Sequence, residues 1–340
     1  MRVVTSHGWT LELGRQLDEG GEGVVYEVDG LRSVVKVLLD PADPASLARR
    51  LGSLEQRGRS PRMAPLLAGQ PPRAAWPSET VRVLARNAAA EPVHGFLMPD
   101  MRRWYRPLGA MLQPAARDAE FPGATWNTSL AVAASLARLV ADLHAAGYVV
   151  GDLKPGNLWV DDQGNVGASD VDSFQFSDDS GTFPCLARTP DYTAPECLSD
   201  ANATPDSLTD NFVLAVVIYQ LLMDGMHPFS GIPADGSRYL SIDDNVRQGR
   251  ARIARLGAVR PMPGAPPLSA LPRRVRDGFI RCFSAAESGR SARPGALEWA
   301  AVLEAERAAG RLRNCQARPG HVYTAERPWC PWCDVTVARR

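Results

Sequence analysis

The chain has 340 residues, 45% of them hydrophobic and 22% charged, with 38 lysines and arginines against 38 aspartates and glutamates. Such a composition buries a core of ordinary size, which excludes wholesale disorder, and a formal net charge of zero argues against a nucleic-acid binder with a globally basic face. The longest apolar stretch, Phe212 to Met223, is interrupted by Gln220 and falls short of the about 18 residues of a membrane span; the first residues show no basic segment followed by an apolar run, so the expectation is a cytoplasmic protein with no membrane contact.

Two β-branched runs open the chain. Val24–Val28 and Val34–Leu38 read as strands joined by an Asp29-Gly30 turn. Leu47, Leu51 and Leu54 recur at helical spacing and predict a helix from Pro44 to Gln56. Val81–Leu84 and Gly95–Met98 add strands, the second ended by Pro99. Beyond this point the pattern turns helical. Asn127 to Ala146 carries Leu130, Leu136, Leu139, Val140 and Leu143 and closes on Gly147, while Phe212 to Met223 is apolar nearly all round and predicts a helix buried within the domain. Arg260 to Pro272 is proline-rich and predicts a loop, and Ala296 to Ala309 a last helix, followed after Gly310 by a short separate module. The coarse reading is a small β lobe followed by a larger helical one.

Chemistry-bearing residues begin with a glycine-rich turn, Leu17 to Tyr26. Its glycines let backbone amides approach a phosphate, although a flexible hairpin would carry them too. Lys36 follows on the next strand among apolar neighbours, where an inward lysine needs a negative partner. A nucleotide phosphate and Glu55, on the predicted helix, are the two on offer.

At this point the chain resembles a protein kinase. Gly20, Gly23 and Val25 match the kinase glycine-rich loop, Lys36 the strand lysine that holds the α- and β-phosphates, and Glu55 the helix glutamate that pairs with that lysine. Asp18 departs from the pattern, standing at the place of the first loop glycine. Met98 to Met101 falls at the hinge between lobes, where backbone groups meet an adenine edge, and both Met98 and Met101 are expected at the nucleotide.

Gly151-Asp152-Leu153-Lys154-Pro155-Gly156-Asn157 follows the long helix. Phosphoryl transfer needs a carboxylate to orient the attacking hydroxyl and take its proton, a cation for the moving phosphoryl group, and oxygen ligands for Mg²⁺. Asp152, Lys154 and Asn157 fit those roles, and Asp170 is expected as the second Mg²⁺ ligand. Arg188 to Glu196 matches the end of a kinase activation segment, Asp210 the aspartate that grips the catalytic-loop backbone, and Arg293 the arginine that pairs with Glu196. The usual His-Arg before the catalytic aspartate is Val150-Gly151 here. With no arginine to meet a phosphorylated loop, activity is expected not to require phosphorylation of that segment. Asp170-Val171-Asp172 replaces Asp-Phe-Gly and removes the glycine hinge, which predicts restricted flipping.

The resemblance implies an α+β, bilobal protein-kinase-like fold with an N-lobe over residues 1–101 and a C-lobe over 102–308, and an ATP- and Mg²⁺-dependent serine/threonine protein kinase acting on a protein substrate. Lys154 and Thr189 follow the serine/threonine pattern. Two alternatives stand beside it: a pseudokinase scaffold without turnover, and a small-molecule phosphotransferase, whose relatives lack the segment ending at Glu196. Gly95 to Pro99, Asp170 to Phe174 and the terminal Cys-Pro-Trp-Cys resemble the bacterial helix-hairpin-helix kinases of tellurite-resistance-type gene clusters. That resemblance implies as partners a von Willebrand A-domain protein and a metal-dependent phosphatase.

Residues 311–340 hold Cys315, His321, Cys330 and Cys333, three thiolates and an imidazole of the kind zinc takes in a tetrahedron. So short a segment has no core of its own, and a structural zinc is expected to organise it. Cys185, Cys197 and Cys282 read as small buried hydrophobes, with Cys185 the one to test for oxidation. His144 is expected to bond a backbone carbonyl.

Overall fold

The structure is a computed structural model and describes residues 1–39, 43–84, 94–179, 181–200, 202–236, 240–284 and 289–338. Six antiparallel strands make the N-lobe: β1 (Arg2–Thr5), β2 (Thr10–Glu19), β3 (Gly23–Val28), β4 (Ser33–Leu38), β5 (Glu79–Val83) and β6 (Gly95–Pro99). They close into a barrel in the order β1-β2-β3-β4-β6-β5. The closing strand, β1, pairs Val3 with Leu11 on one side and with Val83 on the other; four residues long, it carries too little pattern to be read from the sequence. Val3, Leu13, Val28, Val35, Val37, Val81 and Leu97 form a small core of their own.

Strand alternation then places Lys36. Val35 and Val37 belong to that small core, so Val34, Lys36 and Leu38 face the other way, and Val34 and Leu38 join the large core that runs into the C-lobe. Lys36 lies opposite Val25 on β3 and Phe96 on β6. Gly95 permits the close approach of β6, since a Cβ there would lie 1.9 Å from the Lys36 carbonyl oxygen.

Helix α1 (Pro44–Gly58) starts at Asp43, whose carboxylate accepts from the amides of Ala45 and Ser46, and buries Leu51 and Leu54. The C-lobe is built on two helices, Trp126–Ala145 and Ser207–Leu222. In the second, every residue from Thr209 to Leu222 is buried. It begins five residues before the apolar run, because the Asp206 carboxylate caps it by accepting from Leu208 and Thr209. The helix Arg273–Phe283, which the sequence reading did not pick out, packs Phe279 against Tyr219 and Trp299. The proline-rich stretch is mostly loop but opens with Val259–Arg260, a short strand paired with Ile232–Pro233. Among the described residues no helix is long and apolar enough to cross a membrane.

After the helix Ala296–Glu306, strands Leu312–Asn314 and Val322–Thr324 and the helix Pro331–Ala338 are the last described elements. This last piece is docked. Glu306, fully buried, accepts from Arg311; the Trp332 ring lies 6.1 Å from that of Trp126; and the Glu326 carboxylate accepts from the amide of Arg273.

Candidate functional site

A cleft of about 400 Å³ lies between the lobes. Its roof is the glycine-rich turn with Gly20, Gly23 and Val25. Lys36 stands at the back, Met98 and Met101 border the hinge, and Asp152, Lys154, Asn157 and Asp170 form the floor. Residues from five separate stretches of sequence thus line one space. Leu17, Val34, Ala75 and Trp159 add an apolar lining that the sequence reading did not single out, and the Trp159 indole donates to Ser169 Oγ beside Asp170. Strand alternation marks Val34 as a neighbour of Lys36 on the same face; nothing in the local sequence marks Trp159.

The floor is tightly bonded. Asp152 is 2% exposed; Lys154 Nζ lies 2.5 Å from its Oδ2 and Thr189 Oγ1 donates to its Oδ1 at 2.6 Å. Lys154 also donates to Thr189 Oγ1 at 3.0 Å, which ties the segment carrying Thr189 to the Asp152–Lys154 pair. Asn157 Nδ2 donates to the Asp152 carbonyl at 3.2 Å, which leaves the oxygen end of its amide for a cation.

Beneath the loop, Asp210 accepts from the amides of Val150 at 2.7 Å and Gly151 at 2.9 Å. His144 Nε2 lies 2.9 Å from the same carboxylate, so the histidine meets a side chain and not the backbone carbonyl expected of it. Gly151 has φ +74°, and a Cβ on it would come 2.7 Å from Cys185 Sγ. The space a side chain at position 151 would enter is thus taken by Cys185. Cys185 itself is 1% exposed and burial pushes its thiol up to about 11, which makes it a packing residue and a poor target for oxidation.

Glu196 and Arg293 form a two-pronged pair, 2.7 and 2.9 Å, with Arg290 also on the carboxylate. Burial alone would raise the Glu196 carboxyl; the bonds and charge of Arg293, with Arg290, bring it below the usual range.

The back wall departs from expectation at Glu55. Its carboxylate accepts from Ser6 Oγ at 3.1 Å and from the Thr80 amide at 2.8 Å, with Arg59 beside it, and it does not reach Lys36. Closure of the barrel by β1 brings the turn that carries Ser6 against α1, and Glu55 satisfies the polar groups of that seam. Lys36 Nζ lies instead 2.9 Å from both carboxylate oxygens of Asp172 and contacts Asp170. Burial works against the ammonium, but the two carboxylates outweigh it and hold its pKa above the ordinary lysine value. Asp170 has φ +60°, an uncommon conformation for a residue with a side chain, immediately before the short turn Val171–Ser173. Glu22, from the glycine-rich turn, brings a third carboxylate within 4.8 Å of those of Asp170 and Asp172.

At the far end of the molecule, Cys315, His321, Cys330 and Cys333 converge. Cys315 Sγ lies 3.7 Å from Cys333 Sγ, and His321 Nδ1 lies 3.6 Å from Cys330 Sγ and 3.7 Å from Cys333 Sγ. A metal about 2.3 Å from each sulfur spaces tetrahedral ligands about 3.7 Å apart, so the set fits zinc.

The protein kinase domain family matches residues 123–271. Protein kinase YegI of Escherichia coli (strain K12) is 31% identical over 98% of this chain and 50% of its own length. Serine/threonine-protein kinase PknL of Mycobacterium tuberculosis (strain ATCC 25618 / H37Rv) is 34% identical over 34% of this chain and 28% of its own. The chain spans about half the length of the YegI proteins it matches. Among solved structures, the ROP18 kinase domain in complex with AMP-PNP and sucrose superposes with a TM-score of 0.58 at 20% identity, covering 90% of this chain and 84% of that one. A kinase domain described as a Toxoplasma gondii specific rhoptry antigen gives 0.56 at 17%, covering 90% and 85%. These two likenesses show the fold alone.

Proposed function

On a protein-kinase-like fold, in a chain similar along nearly all its length to a bacterial protein kinase, we propose that the cleft transfers the γ-phosphoryl group of ATP to serine or threonine hydroxyls of a protein substrate. The observation that carries this reading is the convergence of Lys36, Asp152, Lys154, Asn157 and Asp170 on one cleft, with Thr189 of the activation segment bonded to Asp152. Asp152 accepts the hydroxyl proton as the substrate oxygen bonds to the γ-phosphorus and the bond to the β-phosphate oxygen breaks. Lys154 offsets the charge on the moving group, and Lys36 meets the α- and β-phosphates.

Asp170 and the amide oxygen of Asn157 are hard oxygen donors and suit Mg²⁺, which would supply charge neutralisation at the phosphates. The Glu196–Arg293 pair holds the segment before it as a wall outside the cleft, where a peptide would lie, and this favours a protein acceptor over a small molecule. Cys315, His321, Cys330 and Cys333 are the proposed ligands of a structural zinc. The resemblance to helix-hairpin-helix kinases adds a von Willebrand A-domain protein as the first substrate to try and a metal-dependent phosphatase as the opposing enzyme.

A second reading, nucleotide binding without turnover, draws on Asp18 at the loop and on the two carboxylates already at Lys36. Intact-mass spectrometry of the full chain after incubation with Mg·ATP separates the two. The expected result is a phosphate adduct on the unaltered protein and none with Asp152→Asn or Asp170→Asn, the first slowing transfer about 10²–10⁴-fold. Nucleotide binding with neither adduct nor ADP release, with the von Willebrand A-domain protein present as acceptor, would favour the second reading.

A further inference from the structure

Helix α1 turns a cation, not an acid, toward the back of the cleft. Arg50 Nε donates to the Asp172 carbonyl at 2.5 Å, Nη2 to the Phe174 carbonyl at 2.5 Å and Nη1 to the Pro184 carbonyl at 3.0 Å. Glu55 lies five residues further on, about 140° round the helix, and is spent on the barrel seam. The only carboxylates bonded to Lys36 among the described residues are therefore Asp170 and Asp172, both on the segment that Arg50 grips.

These two acids differ in what else they can do. Asp170 is about one-third exposed and is the residue that would hold Mg²⁺, so a metal would compete with Lys36 for it. Asp172 is buried, presents both oxygens to the ammonium, and is fixed by its own carbonyl to Arg50. A buried ammonium that lost one partner would keep the other.

We propose that Asp172 positions Lys36 for the nucleotide phosphates and that Arg50 clamps the segment carrying it, so the lysine is oriented from the metal-binding segment and not by an acid on α1. The proposal rests on the nucleotide-binding reading above. It makes Asp172 a positioning residue, and it separates the geometry of Lys36 from the side-chain chemistry of Glu55.

The test is titration of the full chain with a fluorescent ATP analogue and Mg²⁺, with turnover and thermal melting measured on the same samples. Asp172→Asn, isosteric and uncharged, is expected to weaken nucleotide binding at least tenfold. Asp172→Glu should recover part of that loss, and Glu55→Gln should bind like the unaltered chain. A purely structural role would lower the melting temperature without recovery by glutamate. Arg50→Lys keeps the charge but loses the fork; it should weaken binding about threefold or more, and it serves if a variant at 172 does not fold. Binding within twofold of the unaltered chain for both Asp172→Asn and Arg50→Lys overturns the proposal. So does a loss in Glu55→Gln as large as that in Asp172→Asn. An unaltered chain that binds nucleotide without turnover, with the von Willebrand A-domain protein present as acceptor, favours the second reading above and leaves the binding comparison decisive, whereas one that binds none overturns both.

Discussion

On the floor of the cleft Asp152, Lys154 and Asn157 fall within six residues of one another and Asp170 follows 13 positions later, whereas at the back wall Lys36 meets partners 134 and 136 positions away in the chain. The loop from Asp152 to Asn157 takes its geometry from its own turns, from the anchoring carboxylate of Asp210 and from Thr189, which bonds Asp152. Motif spacing therefore carries nearly all the information, and the residues expected there are found there. The back wall depends on strand register, helix rotation and the closing strand, none of which a spacing can specify. It is there that the expected partner of Lys36 is replaced. A local motif can be read from sequence because its geometry is local; a salt bridge between distant segments cannot, because the same charge inventory allows several pairings.

If the segment that brings Thr189 to Asp152 is held by long-range ties, breaking one should be costly. Arg293→Ala leaves Glu196 without its two-pronged partner and is expected to lower stability by about 3–5 kcal/mol in denaturant unfolding. A loss below about 1 kcal/mol would mean that the segment carrying Thr189 and Glu196 is held by something else, and would erase the contrast with the back wall.

The second expectation concerns the stretch between Thr189 and Glu196, through Asp191, and has a pH signature. His227 is buried; its Nε2 lies 3.0 Å from the Asp191 carbonyl and its Nδ1 accepts from the Phe229 amide, so both ring nitrogens are used by a neutral ring. Burial brings its pKa down to about 4, only partly opposed by the bond to Asp191. A histidine that binds its proton more readily when unfolded favours the folded state fully above about pH 6.5. Stability should therefore decline as pH falls from there toward 4, by up to about 3 kcal/mol. Urea unfolding at several pH values should show a shallower acid slope for His227→Gln. An unchanged slope would move the acid sensitivity to other groups.

Smallest is the effect at the seam. Glu55→Gln should cost about 1 kcal/mol of stability through weakened bonds to Ser6 and Thr80. A much larger cost, or a loss of nucleotide binding, would return Glu55 to the cleft and remove the difference between the two walls.

The amino-acid sequence by itself determined the two-lobed order of strands and helices and pointed to two groups that the fold brings together, the cleft residues of the glycine-rich turn with Lys36, Asp152, Lys154, Asn157 and Asp170, and the Cys315–His321–Cys330–Cys333 set. Each rests on a period, a turn residue or a short spacing. Gly151 and Asp172 were visible as departures, but their reasons were not: Cys185 fills the space beside the first, and Lys36 and Arg50 meet the second. Tertiary structure alone decided that β1 closes the barrel, that Glu55 braces it, that Trp159 lines the cleft and that Glu326 and Trp332 dock on the C-lobe. The physical reason is common to all four. A buried polar or aromatic group takes whichever partner the packing brings within reach, and reach is set by the relative placement of elements far apart in the chain.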